Sequence, residues 1–580
     1  MINLFLIIKR INPVRVFLNV PFAVFLLLAL LVSIPGETLA ADQPPPNEGD
    51  FVIIGQLLDE QGQAVKDAVV TASTLDGEYA LAETESLEDG TWRIFLVEVP
   101  PEELQISINH PRFVPVTLTF KMHELEDLDN VGLYQVGELE LERSFNAGFW
   151  AATLIFIGVL LLIALEKLHS TTAALAGMSA VFLISYVGSL FDPGFFIFTF
   201  DRGLSYINWE VIFLVMGMMI IVAIIEATGI FQWMAFQAYR LSRGRNWLLV
   251  LILIAITAFA SALLDNFTTM LLMTPISLQI GLALGIHPIA LIIPQILASN
   301  IGGISTLVGT PTNILIGAYA NITFTDFLVN QTIGVIFALI AMSAFILFHY
   351  RKDFFKKSAD ISPALYQRLE ENARMEDPQN LWKAGTVFLL VIIGFILGEQ
   401  VHLSPAVPAI IGATILLIWL KPDVHQMIIA VDWTTLVFFM ALFVVVGAIQ
   451  EVGLLGLAAS SMANLIGDNL PLGIFMIVFG VGTLSTIIAN IPLAAAMLPI
   501  VDFLTVLIPG ADSKVLFYAL SMGAAMGGNG TLIGGEANLV TAGITNQTNT
   551  PITFREFLKV GLPVTYISLA IGFLWLLVRF

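Results

Sequence analysis

The sequence predicts an all-α polytopic membrane protein: two inverted repeats, each of five transmembrane helices plus a re-entrant hairpin, preceded by a small β-sandwich domain. Three features predict this. Hydrophobic residues make up 57% of the 580 residues and charged residues only 12%, too few charges to cover a soluble surface of this size. Several apolar runs reach 18 residues, the length that spans a hydrocarbon core of roughly 30 Å. The second half of the apolar region also repeats the first at a nearly constant spacing.

Residues 1–41 read as a secretory signal. Lys9, Arg10 and Arg15 precede the apolar run 17–32, and small residues near Ala40 and Ala41 suit cleavage. An uncleaved first transmembrane helix is the alternative, and both readings place residue 50 outside the cytoplasm. PPP at 44–46 marks a linker, 42–50. Residues 51–142 then change character, with short alternating strands broken at DEQGQ and EDG. Glu124, Glu126, Asp127 and Asp129 give this domain an acidic, solvated face. His110 and His123 lie too far apart in sequence to form a local metal motif.

From residue 146 the chain is membrane. Apolar segments lie near 148–165, 172–190, 207–228, 247–282, 288–317 and 331–349 in the first repeat, 146–350. A polar linker, 351–383, follows. Segments near 384–400, 404–420, 431–452, 470–508, 515–543 and 558–578 make the second repeat, 384–580. Trp209 and Trp433 each open a segment, 224 residues apart. SALLDNFTTMLLMTPI (261–276) aligns with STIIANIPLAAAMLPI (485–500) at 224, and GISTLVGTPTN (303–313) with GNGTLIGGEAN (528–538) at 225. With 247–282 and 470–508 as re-entrant pairs, five crossings remain per repeat, an odd number that turns the second repeat over. Cytoplasmic loops then hold fourteen Lys and Arg against four on the outer side beyond the β domain, satisfying the positive-inside rule. The expected location is the inner (plasma) membrane, with the β domain outside the cytoplasm.

The net charge of −20 excludes a nucleic-acid partner, since no basic stripe meets phosphates. With no cysteine there are no disulfides, thiolate sites or cysteine nucleophiles. No nucleophile and base set, HExxH motif or nucleotide-binding loop appears, so an enzyme is not expected.

Irregular backbone at membrane depth is tolerated only where it lines a cavity or is buried in protein. Each repeat has two such places. LLDNFTTM (263–270) and IIANIPLA (487–494) interrupt the hairpins, while SNIGGISTLVGTPTN (299–313) and GGNGTLIGGEAN (527–538) interrupt a crossing helix. Paired interruptions point to a midplane binding site. Asp265 is an aspartate at the centre of a membrane segment, a functional-site hypothesis by default. With Asn266, Thr268 and Thr269 it offers oxygen ligands for a hard cation such as sodium; a hairpin-tip helix cap is the other reading. Glu536 stands where the first repeat has Pro311, and is either the acidic partner of a second half-site or a half-exposed glutamate near a helix mouth. Glu226 and Glu451, near segment ends, are expected to be exposed at the interface.

The order GQLLDEQGQAVKDAVVTA…DGTWRIFL resembles the small carboxypeptidase-regulatory-like β-sandwich. AYRLSRGR (238–245), SALLDNFTTMLLMTPI, NIGGISTLVGTPTNILI (300–316) and GGNGTLIGGEANLVTAGI (527–544) resemble the ion transporter superfamily. That superfamily includes arsenite permeases, D-type sodium/proton antiporters, citrate and dicarboxylate carriers and the pigment-cell P protein. The match is closest to the P protein and its bacterial relatives and covers roughly 146–580. The resemblance implies hairpin tips that meet broken helices at the ion and substrate site. Carried onto this chain, the site is Asp265, Asn266 and Thr268 with Asn300, Thr306, Gly309 and Asn313, and its counterpart is Asn490, Asn529, Thr531 and Asn538. The second tip has Ala489 where antiporter and P-protein relatives tend to have Asp, which departs from a two-carboxylate mechanism. Neither tip has the Ser-Asn-Thr of carboxylate carriers.

The expected function is secondary active transport of a small ion by alternating access, sodium- or proton-coupled, of the sodium/proton antiporter or arsenite-permease type. A sodium-coupled citrate or dicarboxylate carrier is the alternative, and a membrane-anchored sensor using the β domain the alternative of another class. No cofactor is expected beyond sodium as a coupling ion. The expected partners are a small inorganic or organic ion and the lipid bilayer, with a homodimer left open.

Overall fold

A computed structural model describes residues 51–580 apart from 60–61, 63, 75–79, 97–102, 111–112, 122–125, 129–132, 166–167, 356–369, 372–374, 376, 399–402 and 549. The signal segment, the linker 42–50, His123 and most of the linker 351–383 lie outside the described residues. The chain divides into two compact units.

The first unit is all β. Its strands are β1 (Phe51–Asp59), β2 (Val69–Thr74), β3 (Ala80–Glu85), β4 (Thr91–Leu96), β5 (Glu103–Asn109), β6 (Val116–Lys121), β7 (Glu126–Leu128) and β8 (Leu133–Leu141). They form two four-stranded sheets, ordered β4-β1-β8-β7 and β3-β2-β5-β6. Period-two alternation builds the core: Trp92, Ile94 and Leu96 of β4 and Leu104, Ile106 and Ile108 of β5 point inward. Gly55 faces Trp92 across the antiparallel β1–β4 pair, where a Cβ would come within 2.6 Å of the indole.

The second unit is helical. Eleven helices among the described residues are long and apolar enough to cross a membrane. The first repeat comprises α1 (Ala147–Ala164), α2 (Ser170–Val187), α3 (Phe200–Ser205), α4 (Trp209–Glu226), α5 (Ile230–Ser242), α6 (Asn246–Leu263), α7 (Asn266–Leu284), α8 (Pro288–Gly302), α9 (Pro311–Ala320) and α10 (Phe324–His349). The second comprises α11 (Pro378–Gly398), α12 (Ala406–Leu420), α13 (Val424–Ala430), α14 (Trp433–Glu451), α15 (Leu454–Ile466), α16 (Leu470–Leu484), α17 (Asn490–Leu507), α18 (Val515–Gly527), α19 (Glu536–Asn546) and α20 (Phe554–Arg579).

Helix for helix the second set follows the first, down to the caps. Gly229 and Gly453 both adopt left-handed backbone, φ 80° and 85°, and redirect the chain into α5 and α15. Thr323 and Thr553 form capping boxes with Asp326 and Glu556 at the starts of α10 and α20. Each repeat thus has five crossings: the first two long helices, the one that opens on Trp209 or Trp433, the broken helix, and the last. A hairpin is added to each.

Two features differ from the sequence reading. The stretches after Gly229 and Gly453 are separate amphipathic helices, α5 and α15, because apolar residues recur there at helical spacing among polar ones. Glu451 is buried rather than exposed: its Oε1 accepts from Arg202 Nε and from the Tyr206 hydroxyl, both at 2.5 Å. A carboxylate at a helix C-terminus is unfavourable beside the negative dipole end, and the guanidinium offsets it.

Candidate functional site

The first hairpin joins α6 to α7 through Leu264 and Asp265. Asp265 caps α7, its carboxylate accepting from the Thr268 N–H and hydroxyl, both at 2.7 Å. Asn266 donates to Asn300 Oδ1 at 2.9 Å, and Ser261 donates to the Ser299 carbonyl at 2.8 Å. The tip is thereby tied to the broken helix α8–α9. Between these halves the backbone runs irregularly through 303–310, and Asn313 holds it. Its Nδ2 donates to the carbonyls of Gly303, Ile304 and Thr306 at 3.4, 3.1 and 2.8 Å. Thr306 donates its hydroxyl to the Ala262 carbonyl. At Gly309 a Cβ would come within 2.8 Å of the Ser261 carbonyl oxygen of the hairpin and closer still to the Gly303 carbonyl oxygen, so loop and hairpin cross with room only for hydrogen.

The second repeat rebuilds the same construction. Asn538 Nδ2 donates to the carbonyls of Gly528 and Thr531 at 2.8 and 2.9 Å. Thr531 donates to the Thr486 carbonyl, and Ser485 to the Ala524 carbonyl. The two broken helices meet through Asn300, whose Nδ2 donates to Asn529 Oδ1 at 2.8 Å and to Asn538 Oδ1 at 3.0 Å. Ser521 of α18 donates to Asn313 Oδ1 at 2.6 Å. Asn300, Asn313, Asn529 and Asn538 are fully buried, and their amides are occupied in holding opened backbone and joining the repeats. The structure thus brings the expected residues of both halves to one crossing point. Among them Asn490 and Glu536 alone carry no side-chain hydrogen bond to the described residues, apart from Gly309, which has no side chain.

A cavity of about 620 Å³ lies beside this point, and of the expected site residues Glu536 alone is in its lining. Phe267 of the first tip and Ala489 and Pro492 of the second line it, with Ile533 before α19 and Glu536 at its start. Its far wall comes from Asp432, Thr434 and Thr435 at the start of α14 and from His169 and Thr171 before and within α2. Among the described residues lining it, Glu536 and Asp432 are the carboxylates and there is no Lys or Arg. Glu536 is the first residue of α19, where the helix dipole favours negative charge. Among the described residues no three His, Asp or Glu side chains converge as a metal cluster requires.

A second cavity, about 510 Å³, is lined by the repeat-equivalent elements: Glu210 and Leu214 of α4, Leu307 and Ile314 of the first broken helix, and Ser404 and Pro405 before α12. No hairpin-tip residue lines it.

A citrate transporter family model matches residues 160–509, spanning both hairpins and most of the helical unit. The chain belongs to the citrate transporter family. An uncharacterized transporter of Mycobacterium tuberculosis is 36% identical over 434 residues, covering 74% of this chain and 98% of that protein. An uncharacterized transporter of Synechocystis is 33% identical over 446 residues, covering 73% and 95%. The human P protein is 32% identical over 520 residues, covering 76% of this chain and 61% of that protein. A solved structure, the YdaH transporter of Alcanivorax borkumensis, is 15% identical with a TM-score of 0.49, covering 74% of this chain and 98% of that one. This citrate transporter family member is therefore a multi-pass membrane transporter of a small molecule, and its Mycobacterium tuberculosis and Synechocystis relatives bear the name of transporters.

Sequence reasoning missed Asp432 and Asp502 in this family member. Asp432 immediately precedes Trp433, at the position where the first repeat has Asn208, so the repeat alignment carried the signal. Asp502 lies within α17 and lines a cavity of about 410 Å³ together with Tyr319 of α9. An acid inside an apolar hairpin arm marks it.

Proposed function

We propose that the protein is a secondary active transporter that moves a small ion by alternating access, coupled to sodium or protons. The observation that supports this is the pair of repeat-equivalent cavities, of which only the one walled by α14 and α19 extends to the hairpin tips. Inverted repeats place equivalent cavities on opposite membrane faces, and exchange of the two arrangements moves a site from one face to the other. Asp265, Asn266, Thr268, Asn300, Thr306, Gly309 and Asn313, with Asn490, Asn529, Thr531, Glu536 and Asn538, form the ion and substrate region. The acidic lining supports a cationic cargo or coupling ion. A carboxylate such as citrate, which the family description favours, would enter this cavity only with its charge compensated by a cation. The charge bias of the loops supports an inner-membrane location with the wider-reaching cavity open to the cytoplasm.

The test is flux in proteoliposomes holding the purified full chain. Uptake or extrusion of sodium, protons, arsenite and citrate is followed under imposed sodium and proton gradients. Gradient-driven movement of any one of these, abolished by dissipating the gradient, is the expected result. Absence of movement for all under every gradient would defeat the proposal.

A further inference from the structure

The string AYRLSRGR (238–245) takes no part in the site described above. It ends α5 and leads into α6 through Arg243 and Gly244, both in left-handed backbone at φ 50° and 74°. Arg240, Arg243 and Arg245 are exposed, and among the described residues none of the three pairs with a carboxylate. Arg240 and Arg243 follow the preference for cations at a helix C-terminus. Arg245 does not. It is the N-cap of α6, where the helix dipole opposes positive charge, and a guanidinium has no acceptor with which to cap.

The second repeat makes the same turn differently. Gly467, Asp468 and Asn469 stand 224 residues after Arg243, Gly244 and Arg245. Asn469 caps α16, its side chain accepting from the Leu472 N–H at 3.1 Å, and an acid beside it suits the positive end of the helix. The first repeat has guanidinium groups in place of this set and leaves donors over. The N–H groups of Gly244, Asn246 and Trp247 have no partner among the described residues. No atom lies within 4 Å of the point where a Cβ of Gly244 would stand, so there is open room at the turn. Asn246 gives an independent sign of a ligand. It is 4% exposed, and its Oδ1 has no hydrogen-bond partner, which is destabilising unless a donor reaches it.

We propose that the α5–α6 turn binds the headgroup of an anionic phospholipid of the phosphatidylglycerol kind. The phosphodiester accepts from the guanidinium groups and from the uncapped N–H groups of α6, and so takes the place of the missing cap. Its charge offsets Arg245 at the positive end of the helix dipole. A headgroup hydroxyl donates to Asn246 Oδ1, which a bare anion could not do. The apolar surroundings favour a lipid over a soluble phosphate. Trp233 and Leu241 of the amphipathic α5 are exposed, Leu241 directly after Arg240, and an amphipathic helix with this mixture suits the headgroup boundary of a bilayer. The site depends on α6 being a membrane span and not on which ion is carried.

The test is lipid titration of the purified full chain in neutral detergent, read as melting temperature and as lipids retained in native mass spectrometry. Phosphatidylglycerol should raise the melting temperature saturably and phosphatidylcholine should not. Phosphatidylmethanol, which has the same charge without the hydroxyls, should bind more weakly than phosphatidylglycerol. Arg245→Asn copies Asn469 and restores a cap, so without lipid it should melt at or above the parent temperature. It should nevertheless lose about fivefold or more in phosphatidylglycerol affinity. Arg240→Gln combined with Arg243→Gln should lose at least as much. Parent affinity in Arg245→Asn would overturn the site, as would an equal response to phosphatidylcholine. An equal response to soluble glycerophosphate would overturn the lipid in favour of a free phosphate, and equal binding of phosphatidylmethanol would overturn the hydroxyl contact. Flux is read separately in proteoliposomes, so the lipid site and the transport reading fall independently.

Discussion

At the scale of single residues, the buried asparagines explain how a helix can be opened inside a membrane protein. Asn313 supplies one amide to three carbonyls that a continuous helix would have satisfied internally. Asn313→Ala leaves those oxygens buried without a donor and removes the acceptor of Ser521, at about 1–3 kcal/mol per unsatisfied group. The expected outcome is a lower melting temperature and lost flux. Asn313→Ala with parent stability would show that the loop does not need the amide. Glu451 makes a contrasting prediction. Gln there retains an acceptor for Tyr206, whereas Ala leaves both Arg202 and Tyr206 without it. Glu451→Ala should therefore unfold at lower temperature than Glu451→Gln, by about 1–2 kcal/mol because Arg202 is partly exposed and screened. Equal melting temperatures would refute that.

At the scale of elements, the two hairpins are unequal. Asn246–Leu263 is one uninterrupted helix, stitched to its neighbours by Gln295, which bonds Thr257 and Ser277 in a fully buried network. The equivalent Leu470–Leu484 is interrupted by a π segment, Met476–Val481, and its tip has no side-chain cap at Ala489. π segments weaken the regular hydrogen-bond ladder and recur where helices must flex. Amide hydrogen exchange should thus be faster in 470–484 than in 246–263, with 490–494 faster than 266–270. Equal protection of the two hairpins would contradict a mobile second hairpin. Much of this was outside the reach of sequence reading. The repeat alignment located both tips, but a π segment has the same apolar composition as an α-helix, and only backbone geometry separates them.

At the scale of the molecule, the topology and the independence of the β unit are open to direct test. The chain has no cysteine, so a single introduced thiol reports its own accessibility. Ser86 is unsuitable: it is buried and bonds Ala68 and Val65. Glu88, with its side chain 93% exposed, is the better site. A thiol at Glu88 should react with an impermeant reagent in intact cells, and one at Ser358 only after lysis. Reaction at 358 in intact cells would reverse the orientation. Deleting 51–142 should leave flux in a chain that still inserts, because the repeats and their site lie outside it. Loss of flux in such an inserted chain would assign the β unit a part in transport.

The sequence by itself determined the membrane class, the duplication, the β unit and the positions of the broken segments. These follow from hydrophobic length, charge placement and internal self-similarity, which are properties of the chain read in order. The tertiary structure decided which polar residues face one another. Asn300, Asn529 and Asn538 form one junction although more than 200 residues separate the first from the others. Composition dictates that a polar group in lipid must find a partner, but which partner it finds is settled by packing, because hydrogen bonds act over about 3 Å and sequence separation says nothing about that distance.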